Sequence, residues 1–296
     1  MRRAAIRATI PAMNPVERVR VRTIEGGRDA DRDDDVAVEE PLAIQIRREG
    51  SEAGFAFVTT MRTPGNDVEL AAGLLFGEGV IEGPGDVVRL AVPDTPVGKR
   101  DDNVVVATLR SAAVDRAEKL QRASVMGSAC GVCGKTTIDN LIPAGRPAIA
   151  DRLRVDPEIL LALPRRLRER QSIFASTGGL HAAGLFTFAG ELEEVREDIG
   201  RHNATDKLVG AFLLRGRVPI SGGILAVSGR AGFEIVQKAV AAGIPLVASV
   251  SAPSSLAIAL ADAGGVTLVG FLRDRRFNVY SHRHRVAASR DPISPG

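Results

Sequence analysis

The sequence predicts an α/β protein: a mainly parallel sheet covered by helices on both faces, preceded by a smaller N-terminal α+β domain. Three observations predict it. From about residue 157 onward, short runs rich in Val and Ile alternate with helix-length segments of about ten residues, the rhythm of strand–helix–strand units. Before residue 125, strand-like runs dominate and only two segments look helical. Finally, 296 residues with 45% hydrophobic and 25% charged side chains can bury a sizeable core, and the length suits two modest domains. Aromatics are only 4% with no Trp, so Ala, Val, Leu and Ile must supply that core.

Residues 1–35 hold eight Arg and seven Asp or Glu with little periodicity, ending in Asp33-Asp34-Asp35. They read as a solvated, Arg-rich disordered tail, in which only 16–24 alternates well enough for an edge strand. The smaller domain spans 36–125, with strands at 36–38, 42–46 and 55–60. Thr63-Pro64-Gly65-Asn66-Asp67 is a turn and helix start, leading to a helix ending near residue 76. Strands at 87–92 and 104–109 and a helix at 112–120 complete it. Residues 126–140 form a loop carrying Cys130 and Cys133. The α/β domain spans 141–285, with helices at 157–171, 203–214, 232–242 and 254–263. Its strands fall at 185–188, 193–197, 224–227, 246–250 and 266–271. Residues 286–296 are a tail.

Composition excludes several classes. The 39 basic residues nearly balance the 36 acidic ones, and aromatics are scarce, which argues against a nucleic-acid-binding platform. Arg outnumbers Lys 34 to 5; Arg suits phosphate and carboxylate, although a GC-rich genome gives the same bias. Two Cys three positions apart cannot build a disulfide framework. Residues 239–261 carry no charge for 23 positions, but Gly243, Pro245, Pro253 and four Ser read as helix end, strand and loop rather than a membrane span. Met1-Arg2-Arg3 is followed by no apolar run, so the expected compartment is the cytoplasm, without membrane insertion.

The strongest local signal is Ser128-Ala129-Cys130-Gly131-Val132-Cys133-Gly134-Lys135, which holds both thiols of the chain. Buried free Cys behaves as a small hydrophobe, but flanking glycines leave these thiols uncovered. Lys135 and the helix start that follows favour thiolate. Zinc binding, disulfide exchange and persulfide carriage all use such a pair. Zinc needs two more ligands; His181 is the obvious one, yet His181-Ala182-Ala183 lacks the Glu of the zinc deaminase signature. No metal site is therefore expected. A thioredoxin-like pair belongs near the first helix of a small βαβ unit, which this placement does not match.

Residues 196–207 pack seven ionisable side chains into twelve positions, either as a solvated loop with a capped helix or as a His able to shuttle protons. Ser228-Gly229-Arg230 follows a buried strand and opens a helix, a phosphate-cradling arrangement that also describes an ordinary turn. Phe271-Leu272-Arg273-Asp274-Arg275-Arg276 places three Arg after a strand. It can clamp phosphates by bidentate pairing, or be an exposed polar hairpin. Ligands of such sheets sit beyond the strand C-termini, so these loops are expected to meet at one edge.

Taken with Met61-Arg62-Thr63-Pro64-Gly65-Asn66-Asp67, Thr177 to Ala183 and Glu197 to Lys207, these segments resemble the formate dehydrogenase accessory sulfurtransferase family (FdhD) from about residue 36 to 281. The resemblance implies a cytidine-deaminase-like three-layer fold without its zinc, and a homodimer. It implies a cytoplasmic sulfur carrier loaded by a cysteine desulfurase, with Cys130 as the persulfide cysteine and Cys133 beside it. The sulfur then passes to the bis(molybdopterin guanine dinucleotide) molybdenum cofactor destined for formate dehydrogenase. Phe271, Leu272, Arg273, Asp274, Arg275 and Arg276 match the family's cofactor-binding segment, with Ser228, Gly229 and Arg230 as neighbours. GDP or GMP is then the fragment mimic. The alternative is a non-catalytic cofactor or guanine-nucleotide chaperone whose Cys pair is structural.

Overall fold

The computed structural model describes residues 14–94, 101–125, 149, 153–273 and 275–288. Among the described residues, three sheets and seven α-helices make a mixed α/β architecture. The charged N-terminal segment is not a tail over its second half. Val16–Glu25 (β1) and Arg28–Ala37 (β2) form a two-stranded antiparallel ribbon. Cross-strand ion pairs explain it: Arg18 meets Asp35 at 3.0 Å, Arg20 meets Asp33 at 3.1 Å, and Arg22 meets Asp29. Charges that look unpatterned along the chain become complementary once the strands are folded back.

The four-stranded sheet contains Glu40–Arg48 (β3), Gly54–Arg62 (β4), Val87–Ala91 (β5) and Val104–Leu109 (β6), ordered β4-β3-β6-β5. Period-two alternation sends Leu42, Ile44 and Ile46 of β3 and Val105, Ala107 and Leu109 of β6 into the core. Asp67–Gly77 (α1) and Ser111–Val125 (α2) pack against this sheet.

The six-stranded sheet contains His181–Thr187 (β7), Leu192–Asp198 (β8), Gly223–Val227 (β9), Leu246–Ser249 (β10), Thr267–Arg273 (β11) and Arg276–Val279 (β12). Its order is β12-β11-β10-β9-β7-β8. The expected mainly parallel sheet is corrected to a mixed one. Only β9, β10 and β11 run parallel, joined by the crossover helices Phe233–Ala242 (α6) and Ser255–Gly264 (α7). Short turns join β7 to β8 and β11 to β12, and turns of that length can only return the chain antiparallel.

Helices cover both faces of this sheet. Leu225 and Val227 lie in a core with Leu208 and Phe212 of Arg201–Leu214 (α5) and Ile235 of α6. Ile224 and Ala226 face the other way, onto Leu160, Leu163 and Leu167 of Pro157–Arg168 (α3). The predicted helix 157–171 stops at Arg168, and Ser172–Thr177 (α4) follows as a separate turn of helix. The first core cluster continues without a break into the four-stranded sheet.

That continuity depends on two glycines. A Cβ on Gly73 of α1 would lie 1.9 Å from the Asp206 carbonyl oxygen, and one on Gly210 of α5 would lie 1.9 Å from that of Glu69. The two helix backbones therefore touch where they cross. No helix among the described residues is long and apolar enough to cross a membrane.

Candidate functional site at the strand edge

The C-terminal ends of β9, β10 and β11 point to one edge of the six-stranded sheet, together with the start of β7 and the end of β8. Ser228-Gly229-Arg230, residues 250–254, the 271–276 segment, His181 and residues 198–202 consequently share that edge, as the topology predicts for parallel strands. Short hydrogen bonds fix it. Ser228 donates its N–H to the Ala182 carbonyl at 3.0 Å, and its Oγ accepts from the Ala182 N–H at 2.8 Å. Ser249 Oγ donates to the Gly229 carbonyl at 2.7 Å.

The Arg-rich segment is a hairpin with an irregular start. Gly270 is pressed against its surroundings: a Cβ there would lie 2.9 Å from Pro253 Cδ and 3.0 Å from the Tyr280 ring. The ladder shifts register between Gly270 and Arg273, and Phe271 is held at φ 52° with its N–H donated to the Ser251 carbonyl at 3.1 Å. A bulky residue in the left-handed region marks a locally strained backbone. Phe271 is half-buried, with the Arg273 guanidinium 5.9 Å from its ring centre. Arg273, Arg275, Arg276 and Arg230 are exposed, whereas Gly229 is buried and Ser228 half-buried. Leu272 faces the opposite way, buried in the α3-side core. Asp274 lies outside the described residues, as do Cys130 and Cys133.

A cleft of about 510 Å³ opens beside these loops, between α3, α4 and the ends of β7, β9 and β10. Leu167, Arg168, Gln171, Phe174, His181 and Ser228 help to line it. The Glu197 carboxylate fixes α4 by accepting the N–H groups of Ile173 at 3.1 Å and Phe174 at 2.8 Å. Arg168 lies 3.6 Å over the Phe174 ring, a cation–π contact at the mouth. Gln171 is 4% exposed, and its Nε2 is buried with no hydrogen-bond partner among the described residues. A buried amide left unpaired is a donor awaiting an acceptor. The cleft thus offers an apolar slot, one unused amide and a cation at its rim. Sequence reasoning missed it, because 157–171 reads as one helix and nothing signals the break that turns Gln171 inward.

A buried seam of paired charges supports the edge from below. Asp198 is fully buried and holds Lys207 Nζ at 2.7 Å. Its Oδ1 also accepts from the Gly200 N–H at 2.8 Å and Asn203 Nδ2 at 3.1 Å, and its Oδ2 from the Thr63 N–H at 3.2 Å. Lys207 donates in turn to the Thr63 carbonyl at 2.8 Å. The turn after β4 is therefore bolted to the corner between β8 and α5. At the surface end of that corner, His202 Nε2 meets Glu234 at 2.6 Å, which lowers the Glu234 carboxyl from its ordinary value despite burial. The His181 imidazole is also lowered, chiefly by burial and then by the neighbouring Arg201 guanidinium and His202 ring, with Asp198 opposing. Among the described residues, no three His, Cys, Asp or Glu side chains converge as a metal-ligand set.

Comparison with known proteins assigns the chain. The sequence model of the FdhD/NarQ family matches residues 37–287. The "Sulfur carrier protein FdhD" of Streptomyces avermitilis is 48% identical over 276 residues, covering 92% of this chain and 95% of that protein. The protein of the same name from Sulfurisphaera tokodaii is 42% identical, covering 92% and 99%. The crystal structure of a candidate formate dehydrogenase accessory protein from Desulfotalea psychrophila superposes with a TM-score of 0.69 at 25% identity, covering 93% of this chain and all of that one. From the matched span and these identities, the chain belongs to the FdhD/NarQ family.

Proposed function

We propose that this protein is a sulfur carrier for formate dehydrogenase maturation. The observation that carries the proposal is end-to-end similarity to relatives named for sulfur carriage, in a chain whose only two thiols stand together at Cys130 and Cys133. The Cys130 thiolate attacks the terminal sulfur of a cysteine desulfurase persulfide; the desulfurase thiolate leaves, and Cys130 keeps the sulfur as its own persulfide. Attack by the Cys133 thiolate on Cys130 Sγ then releases hydrosulfide and leaves a disulfide that a thiol reductant reopens. The acceptor is the molybdenum cofactor with its two guanine dinucleotides, bound as substrate before it enters formate dehydrogenase in the cytoplasm.

The strand edge supports cofactor binding. Exposed Arg273, Arg275, Arg276 and Arg230 supply cations, and the adjacent cleft supplies an apolar slot with an unused amide. Helices on both faces of the larger sheet support the cytidine-deaminase-like layering that the resemblance implies. A homodimer belongs to the same proposal. Genetic complementation tests the function. A strain lacking its own carrier should regain formate dehydrogenase activity with the native chain and not with Cys130→Ala. Full rescue by Cys130→Ala would instead favour a cofactor chaperone with a structural Cys pair.

A further inference from the structure

On the α5 side of the strand edge, three residues meet that the proposed sulfur chemistry does not use. Arg201 opens α5, and its side chain makes no ion pair or hydrogen bond among the described residues; its Nε is buried and unpartnered. Gly229 lies between Arg201 and His181: a Cβ there would come 3.2 Å from His181 Nδ1 and 3.5 Å from Arg201 Cδ. The neighbouring charges are already compensated, since His202 is paired with Glu234 and Asp198 with Lys207. Arg201 makes no ion pair among the described residues, and the carboxylate its charge does reach, Glu234, is in direct contact with His202 instead. Gly200 caps the 14-residue α5 without a side-chain bond, so the partial positive charge of its first turn adds to the same spot.

We propose that Arg201, His181 and the backbone at Gly229 form a subsite for a phosphate-class oxyanion. A guanidinium fork matches two phosphate oxygens, an imidazole N–H can meet a third, and the missing Cβ of Gly229 keeps the space between them. An orphaned, buried Nε–H is satisfied when a ligand brings the acceptor.

The site is linked to protons. The groups facing His181 are Arg201 and His202 from α5, Asp198 from β8, and Arg168 from α3 across the cleft. Burial and then the Arg201 guanidinium hold the free imidazole below its ordinary value, hence neutral at pH 7. An anion seated on Arg201 reverses the field at the ring and favours its charged form. Binding therefore favours proton uptake at His181, a contribution separate from the ligand's own titration over pH 6 to 8. The subsite goes beyond sulfur carriage and requires neither cysteine.

Calorimetric titration of the full chain with inorganic pyrophosphate, in phosphate-free buffer at pH 6, 7 and 8, tests this, with NMR titration of its four His side chains alongside. Arg201→Gln keeps the helix start and most of the bulk, and should weaken pyrophosphate at least tenfold. In the native chain pyrophosphate should raise the His181 pKa. In Arg201→Gln that pKa should already be higher without ligand, because a cation holding it down is gone, and should no longer respond. Gly229→Ala leaves every charge in place and should also weaken binding by crowding the two side chains. Competition by GDP identifies the occupant as the diphosphate of a nucleotide; simultaneous binding of both identifies a free phosphate compound. Equal pyrophosphate affinity in native and Arg201→Gln proteins, no measurable binding, or a His181 titration unmoved by pyrophosphate would overturn the subsite. Persulfide loading on Cys130 is unaffected by any of these results, so failure here and failure of the sulfur-carrier proposal are separable.

Discussion

Arg62 and Arg201 sit on either side of one junction and are treated in opposite ways. Arg62 is fully buried, with Nε on Asp67 at 2.9 Å, Nη2 on the Asp102 carbonyl at 3.0 Å and Asn103 at 3.1 Å, and Nη1 facing Glu40 at 3.5 Å. Arg201, half-buried a few residues beyond Asp198, has none of these partners. The same contrast holds for the two regions at large. In the seam between the sheets, Asp198–Lys207, Asp206–Lys238 and Arg62–Asp67 are buried pairs. At the strand edge, Arg201, Arg230, Arg273, Arg275 and Arg276 make no ion pair among the described residues. Charges compensated within the chain hold the fold, and the exposed ones at the edge are those that our proposals assign to ligand binding.

Substitutions that break the first region should show in stability. Arg62→Met strands Asp67 in the interior and should lower unfolding free energy by about 3–5 kcal/mol, measured by denaturant unfolding. An unchanged midpoint would show that the buried cluster is not what fixes the turn after β4. Gly210→Ala, by forcing α5 off the α1 backbone, should cost about 1–3 kcal/mol or more.

Substitutions in the second region should show in binding instead. Arg273→Ala and Arg276→Ala should each weaken GDP binding by about 1–3 kcal/mol if each makes a charge-assisted contact. As exposed side chains they should change stability by no more than about 0.5 kcal/mol. Calorimetry paired with thermal unfolding checks both halves. Weakened folding with intact GDP affinity would erase the distinction between the two regions.

A further prediction for the first region concerns pH. Burial raises the Asp206 carboxyl to about 6 despite Lys238 at 2.7 Å, and Lys238 is itself raised by that pairing. Between the unfolded value near 3.8 and about 6, the folded chain binds the extra proton. Stability should therefore fall as pH rises through that window. Asp206→Asn should flatten this slope. A native chain that gains stability from pH 4 to 6 through this residue would mean that the pair, not burial, dominates.

Much of the second region was legible in the sequence. Val- and Ile-rich runs located β9, β10 and β11 nearly to the residue, and parallel connections sufficed to bring Ser228-Gly229-Arg230 and Phe271 to one edge. The small residues Ala182, Ala183 and Gly184 hid most of β7, so the strand was expected four residues late. The seam was less legible, because its partners are remote. Thr63 and Asp198 are 135 positions apart, and nothing local marks Asp198 as buried. Alternation over 16–24 marked β1, but its partner β2 escaped for the same reason, because the ion pairs that join them exist only across strands. Leu272 is buried between two less buried neighbours, because strand alternation turns every second side chain of the segment inward.

The central claim is that Cys130 carries sulfur. Intact-mass spectrometry of the native chain after incubation with a cysteine desulfurase and cysteine, followed by peptide mapping, tests it most directly. The account predicts a gain of one sulfur atom, removable by cyanide and located on the peptide containing Cys130, and no such gain in Cys130→Ala. A native chain that never gains sulfur, or a Cys130→Ala chain that gains it equally, would contradict the account.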